Sequence, residues 1–320
     1  MGIGEAKIGL GLAALGRPEY INIGKTRASD KTEIAFKENA FKVLDAAYKA
    51  GVRYFDTAPS YGKGEQFLYE WSVNKADKDI VLGTKWGYTY IANWEIGFSG
   101  NHEIKEHSIS KLSEQWRFSK KLLPLLKIYQ IHSATLESGV LENDEVLNYL
   151  AELKEQFNLK IGITTSGFNQ SDIIKKAVSI KIDAKPLFDS FQITYNILEN
   201  STHQILKQLI ADHKTVIVKE ALANGRIFPN KEYVHYQNLY KDLTVLAGKY
   251  KVGTDAIALR FCMDYLHPET VLSGASSVHQ LQENLKANRF KLSEEELNTL
   301  KIHSVSSVDY WNERSQLEWH

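Results

Sequence analysis

Apolar positions recur along the chain with two different periods. Short runs in which most residues are apolar or β-branched begin at Ile8 (IGLGLAA), Arg53 (RYFDTA), Ile80 (IVLGTK), Ile128 (IYQIHS), Leu159 (LKIGITTS), Ser190 (SFQITYNI), Val216 (VIVKEAL) and Thr270 (TVLSGAS). Their length and composition predict eight strands. The longer stretches between them carry helical spacing. In AFKENAFKVLDAAYKAG, Phe36, Ala40, Val43 and Ala47 fall on one face and Gly51 supplies a stop. In DEVLNYLAELKEQF, Val146, Leu150 and Leu153 share a face, and acids occupy the first turn.

Nearly unbroken apolar strands that alternate with helices belong in a parallel sheet covered on both faces. Eight such units predict an α/β fold of the closed (β/α)8 TIM-barrel type, a single domain over residues 1–320. A doubly wound sheet is the competing architecture, and GLGLAALG invites it. The glycine spacing is wrong for a dinucleotide fingerprint, because Gly16 is the next glycine after Gly9 and Gly11 and no acid follows at the required distance. No Pro, Gly or Ser-rich linker divides the chain. Two segments read as irregular and rich in aromatics: a loop over residues 86–104, which contains WGYTYIANWEIGFSGNHE, and a tail over residues 304–320, which contains SSVDYWNERSQLEWH. Long loops in a compact domain usually carry function, which places both near the active face.

Composition narrows the function classes. At 320 residues, 43% hydrophobic and 24% charged, with 39 basic against 39 acidic side chains, the chain lacks the cationic excess of a nucleic-acid binder. The single cysteine, Cys262, excludes an intramolecular disulfide, suits a reducing compartment and reads as a buried helical thiol. The apolar IGLGLAALG lacks a basic leader and is too short to cross a bilayer, and MGIGEA has Ala6 where a myristoylation signal has Ser or Thr. The expectation is a cytoplasmic protein, monomeric or weakly self-associating, with no membrane partner. No His, Cys and acid cluster at ligand spacing calls for a metal.

Chemistry in such a barrel sits at the C-terminal ends of the strands. The second strand ends at Asp56, with Tyr61 in the loop after it; the third ends at Lys85 and the fourth at His132. Singly, these are a loop cap, a snorkelling lysine and a satisfied core histidine. Together they put ionisable groups at equivalent positions on three consecutive strands, where packing alone has no use for them.

These residues resemble the aldo/keto reductase family. FDTAPSYGKGE matches the family motif FDTAxxYGxxE at Asp56 and Tyr61, GTK supplies Lys85, and YQIH supplies His132. The resemblance runs over nearly the whole chain. It implies hydride transfer between a nicotinamide and a carbonyl or alcohol, with Tyr61 as general acid and base. An unperturbed tyrosine titrates near about 10. A Lys85 ammonium at roughly 4 Å and an effective dielectric of about 20 favours tyrosinate by about 4 kcal/mol, or about three pKa units. Asp56 would keep Lys85 charged and oriented, and His132 would donate a hydrogen bond to the carbonyl oxygen.

The same resemblance implies a dinucleotide across the last strand ends. The family's Ser–Asn pair is matched at Ser166 alone, with Gly167 in the Asn position, and Gln192 matches the carboxamide glutamine. Lys219 stands where many relatives have an aromatic ring, and Ala221, Leu222 and Gly225 resemble the pyrophosphate loop. Gly274, Ala275, Ser276, Gln280, Glu283 and Asn284 match the adenosine end. Gly274 and Gln280 take the places of the Lys and Arg that hold a 2′-phosphate, and NADP remains the implied cofactor with NAD the alternative. Trp86, Tyr88 and Trp94, with Phe98, Tyr310 and Trp311, are the expected substrate walls, suited to an aromatic aldehyde, a ketone or a sugar face. Two rivals stand: a Schiff-base aldolase using Lys85, and a non-catalytic nicotinamide-binding regulatory subunit akin to the family's potassium-channel β-subunits.

Overall fold

A computed structural model describes residues 6–20, 31–73, 75 and 79–318. Residues 1–5 and 319–320, which the lipidation and tail expectations touched, lie outside them. Every predicted strand forms: β1 Lys7–Gly11, β2 Tyr54–Asp56, β3 Val81–Trp86, β4 Leu126–Ala134, β5 Lys160–Thr165, β6 Ser190–Thr194, β7 Thr215–Lys219 and β8 Thr270–Ser273. They pair in parallel with their sequence neighbours, and β8 pairs back to β1, so the sheet closes into a barrel. The doubly wound alternative is thereby removed.

Apolar residues on both faces of each strand explain the closure. One face packs against the surrounding helices, where Phe55, Leu82, Ile131, Ile163, Phe191 and Val218 are all buried. The other face fills the barrel, where Tyr54, Ile128 and Ile217 form a small inner core with Val81 and Leu272. Close packing of that core depends on glycine. A Cβ on Gly83 of β3 would lie 2.2 Å from the Tyr54 hydroxyl, so glycine there makes room for the Tyr54 side chain inside the barrel.

The helices follow their predicted stripes. Glu33–Lys49 buries Ala40, Val43, Leu44 and Ala47, and the chain then reverses through Gly51 at φ 90°. Asp144–Phe157 buries Val146, Leu147, Leu150 and Leu153, with the Asn143 side chain capping the Val146 amide. Cys262 is fully buried in the Thr254–Leu266 helix.

Both segments expected to be irregular contain regular structure. In the loop after β3, Tyr88–Tyr90 pairs antiparallel with Glu103–Lys105. In the tail, Ser307–Ser315 is a helix whose first turn is capped by Ser306, which accepts from the Asp309 amide at 3.1 Å.

Candidate active site

The β2–β3 register pairs Asp56 with Gly83, which leaves Lys85 one pleat further along on the same inner face. The Lys85 ammonium bonds to Asp56 Oδ1 and donates to the Thr57 carbonyl at 3.0 Å. Asp56 Oδ2 accepts from Tyr54 at 3.1 Å and from Gln192 Nε2 at 2.8 Å. Lys85 is 0% and Asp56 2% exposed. A buried ion pair of this kind persists when further hydrogen bonds engage both groups, here one more from Lys85 and two more to Asp56.

Tyr61 sits on the turn between β2 and the Gly64–Val73 helix. Its amide donates to the Ala58 carbonyl at 3.0 Å and its carbonyl accepts from the Gly64 amide at 2.9 Å. The loop after β1 presses on this turn: the Lys63 amide donates to the Gly16 carbonyl at 2.7 Å, and a Cβ on Gly16 would fall 2.2 Å from the Tyr61 carbonyl oxygen. Gly16 thus serves the tyrosine turn. The Tyr61 ring lies 4.8 Å from the Lys85 ammonium and 5.5 Å from the Arg17 guanidinium, and meets the His132 ring edge-on at 5.6 Å.

The sign of the electrostatics differs from what Lys85 alone would produce. Burial first, then the Asp56 and Glu103 carboxylates, hold the Tyr61 phenol well above the ordinary tyrosine range, against an opposing pull from Arg17. Desolvation outweighs the cations because the mouth is deeply enclosed. Burial and the surrounding cations, Lys85 foremost, push His132 well below its usual value. A neutral phenol therefore stands beside a neutral imidazole, each able to donate a hydrogen bond.

A bulge aims His132. The β4–β5 pairing slips between Ile131 and Ala134, with Ser133 at φ 48° and its amide donating to Thr164 Oγ1 at 2.7 Å. His107 donates from Nε2 to the His132 carbonyl at 2.9 Å, Ser60 Oγ lies 3.4 Å from His132 Nδ1, and the Tyr88 ring packs 4.8 Å from the imidazole. Asp56, Tyr61, Lys85, His132 and Tyr88 thus converge on one opening.

Of the other expected pocket walls, Trp86, Trp94, Phe98 and Tyr310 are engaged elsewhere, and Trp311 stands beside Lys219. Trp86 follows Lys85 in the strand, so the pleat turns it outward; it is fully buried in the outer core, edge-on to His107 at 5.5 Å. Trp94 donates from its indole to the Lys31 carbonyl at 2.7 Å and packs edge-on to Phe36 at 5.4 Å, tying the loop to the first helix. Phe98 packs on His102 in its own loop. Tyr310 is fully buried, its hydroxyl accepting from Asn196 at 3.0 Å, and Trp311 faces Lys219 at 6.0 Å.

The residues matched to a dinucleotide fall into two groups. Ser166 bonds to Ser133 at 2.9 Å, Gln192 joins the Asp56 cluster, and Lys219 enters the mouth from β7. Ala221 and Leu222 lead into a tight turn with Ala223, Asn224 and Gly225 all at positive φ, and the amides of Ala223, Gly225 and Arg226 each bond three residues back. The adenosine-end residues are largely engaged with one another. Ala275 donates to Ser273 Oγ at 3.2 Å, Ser276 donates to Gln280 Oε1 at 2.9 Å, and Glu283 pairs with Lys286. Asn284 is buried between Ser273 and Asp255, both ends bonded, which makes it a structural tie and not an open contact. Gly274 is exposed, with open space around its Cα.

The strip from Lys219 to Arg226 and the Trp311 that faces it have surplus donors: Arg226 Nη2 and Trp311 Nε1 are buried with no hydrogen-bond partner among the described residues. A donor-rich, cationic strip beside an exposed glycine fits an anionic, phosphate-bearing cofactor.

Several contributors escaped the sequence reading. Tyr54 reads as strand filler yet bonds to Asp56. Arg17 donates to the Ser60 carbonyl at 3.1 Å and pairs with Glu103, linking the β1 loop, the Tyr61 turn and the Tyr88 hairpin. Glu220, at φ 56°, accepts two bonds from Arg314 Nε at 3.0 Å and one from Nη2 at 2.6 Å. An arginine in the sequence gives no local sign of its partner, and of this group the sequence reading singled out Lys219 alone.

A model of the aldo/keto reductase family matches residues 7–305. An uncharacterized oxidoreductase, YqkF, of Bacillus subtilis is 24% identical over 292 residues, covering 85% of this chain and 90% of that protein. D-threo-aldose 1-dehydrogenase of a Pseudomonas species is 32% identical over 119 residues, 36% of this chain and 34% of that protein. Among solved structures, the holo form of the aldo-keto reductase AKR11C1 of Bacillus halodurans superposes with TM-score 0.69 at 21% identity, covering 94% of this chain and 93% of that one. The glycerol dehydrogenase AKR11B4 of Gluconobacter oxydans superposes with TM-score 0.69 at 18% identity, covering 93% and 91%. Both share this fold.

Proposed function

Because this chain belongs to the aldo/keto reductase family, oxidoreductases that use nicotinamide cofactors, we propose that it interconverts a small aldehyde, ketone or sugar carbonyl and its alcohol with Tyr61 as the proton donor. The observation that carries this is the convergence of Tyr61, His132 and the buried Lys85–Asp56 pair at one barrel mouth.

When bound, the reduced nicotinamide supplies the hydride. The protein's part is to hold the carbonyl oxygen and to provide a proton. Tyr61, kept neutral by burial, gives its hydroxyl proton to the oxygen as the carbon is reduced. The resulting phenolate is stabilised by the Lys85 ammonium beneath the ring and the Arg17 guanidinium beside it, so the cations act on the product of proton transfer more than on the resting phenol. His132, neutral and edge-on to Tyr61, donates a second hydrogen bond to the same oxygen. Tyr88 forms the adjoining wall.

Lys219, Ala221, Leu222 and Gly225 would meet the dinucleotide, with Ser166 and Gln192 near its carboxamide and Gly274 at the adenosine end. The proposed cofactor is NADP(H), following the family's usage; the Gln280 side chain caps Ser276 and offers a 2′-phosphate no cation, so NAD(H) is tested alongside. The aldolase alternative has less support, because Lys85 is fully buried and engaged by Asp56 and Thr57. A panel of aldehydes, ketones and sugars followed by nicotinamide absorbance, with both cofactors, tests the function. In Tyr61→Phe, cofactor affinity should hold and turnover should fall by about 10²–10⁴-fold. Turnover within a few-fold of the parent removes Tyr61 from the acid role.

A further inference from the structure

We propose that Lys219 sets the balance between the two oxidation states of the cofactor, its ammonium disfavouring the positively charged oxidised ring and sparing the neutral reduced one. This rests on the nicotinamide reading above.

The charges at the mouth are unequally paired. Lys85 faces Asp56 and Arg17 faces Glu103, whereas Lys219 and Arg314 share Glu220. Arg314 engages both Glu220 oxygens, and Lys219 Nζ stands 3.8 Å from Oε1, beyond hydrogen-bond reach. Lys219 instead donates to a neutral partner, Thr194 Oγ1, at 2.6 Å. The three charged groups therefore carry a net positive charge inside the protein, with the Lys219 side chain 17% exposed.

That charge reaches the reaction centre. Lys219 lies two residues beyond the inward Ile217 on β7 and pairs with Thr194, itself two residues along β6 from the Gln192 that donates to Asp56 at 2.8 Å. Lys219 is accordingly among the cations that depress His132, and Lys85 and Asp56 act on Lys219 in turn. Hydride transfer requires the ring and the carbonyl in contact, with the carbonyl oxygen in reach of Tyr61 and His132, so a bound ring would lie within range of the Lys219 charge. Unit charges within about 10 Å at an effective dielectric of about 20 shift a binding equilibrium by about 10-fold or more. The phosphates are the same in both oxidation states, so the ratio of the two affinities isolates the ring charge. On the protein, alcohol and oxidised cofactor are then disfavoured relative to carbonyl, reduced cofactor and the proton returned to Tyr61.

Lys219 also titrates accessibly. Burial brings it down to about 8, against the opposing pull of Glu220. The groups facing it are Glu220 and Arg314, Thr194 and Trp311, and across the mouth Asp56, Lys85 and His132. Glu220 is held at about 2 and His132 stays neutral, so neither changes charge near pH 8.

Titration of protein fluorescence with NADP⁺, NADPH, NAD⁺ and NADH tests this on the full chain. In Lys219→Met the oxidised forms should tighten by about 10-fold and the reduced forms change by less than about two-fold, whereas Lys219→Arg should keep the parental ratio. Without any substitution, the parental preference for the reduced form should narrow as pH rises through about 8, where the ammonium loses its proton. Equal changes in both oxidation states in Lys219→Met, which would mark a phosphate contact, or a pH-independent parental ratio, overturn the proposal. If the parent protein binds neither state, the nicotinamide reading itself falls, a result distinct from an unchanged ratio.

Discussion

At the scale of single residues, the site is a set of charges whose worth depends on enclosure. Lys85→Met leaves Asp56 buried with its cation removed, which should cost about 3–5 kcal/mol of stability as well as turnover. The double variant Lys85→Met with Asp56→Asn should regain most of that stability in denaturant titration and none of the turnover. If the single and double variants unfold together, the two groups do not form the ion pair described. Positions of this kind were legible in the sequence because an ionisable residue closing an apolar strand is conspicuous, and Asp56, Lys85 and His132 all do so. The direction of the Tyr61 shift was not, since it follows from the folded enclosure and from charges such as Glu103 and Arg17 that lie far from Tyr61 in the chain. Tyr54 was missed for another reason: a tyrosine inside a strand looks like filler until its hydroxyl partner is known.

At the scale of elements, period decided what could be read. Strands and amphipathic helices declare themselves by alternation and by 3.6-residue spacing, and all eight barrel strands were found to within two residues at their starts. The Ser307–Ser315 helix buries only Tyr310, so it shows no apolar stripe and passes for loop. Tertiary contacts hold it: Arg314 to Glu220, Glu313 to Arg226 and Tyr236, and Tyr310 to Asn196. Removing one should loosen the element and leave the barrel alone. In Arg314→Met, amides of the 307–315 helix should exchange with deuterium faster while those of β4 and β6 keep their protection. Unchanged exchange there means the helix is held without the Glu220 pair. Trp86 and Trp94 were misplaced for an elemental reason too. Alternation turns Trp86 away from Lys85, and the antiparallel pairing of Tyr88–Tyr90 with Glu103–Lys105 fixes the loop that carries Trp94 against the first helix.

At the scale of the whole molecule, stability and site chemistry meet in Glu65. Its carboxyl accepts from Thr84 at 2.9 Å behind Lys85, and burial raises it from 4.5 to about 7. The folded protein thus holds this proton after the unfolded chain has released it, so stability falls as pH rises from about 4.5 through about 7 and is level above. Glu65→Gln lacks that loss, and its melting temperature relative to the parent should climb across the same interval. A flat difference would place the Glu65 carboxyl in the ordinary range. The closed barrel itself followed from strand count and composition, whereas which groups titrate inside it required the folded enclosure. That enclosure has a floor. Tyr54, packed against Gly83, fills the barrel interior together with Ile128 and Ile217. If Tyr61 is the proton donor proposed above, the proton that recharges it must come from the side of the barrel opposite this plug, the side from which the substrate would arrive, so a product slow to leave should also slow reprotonation.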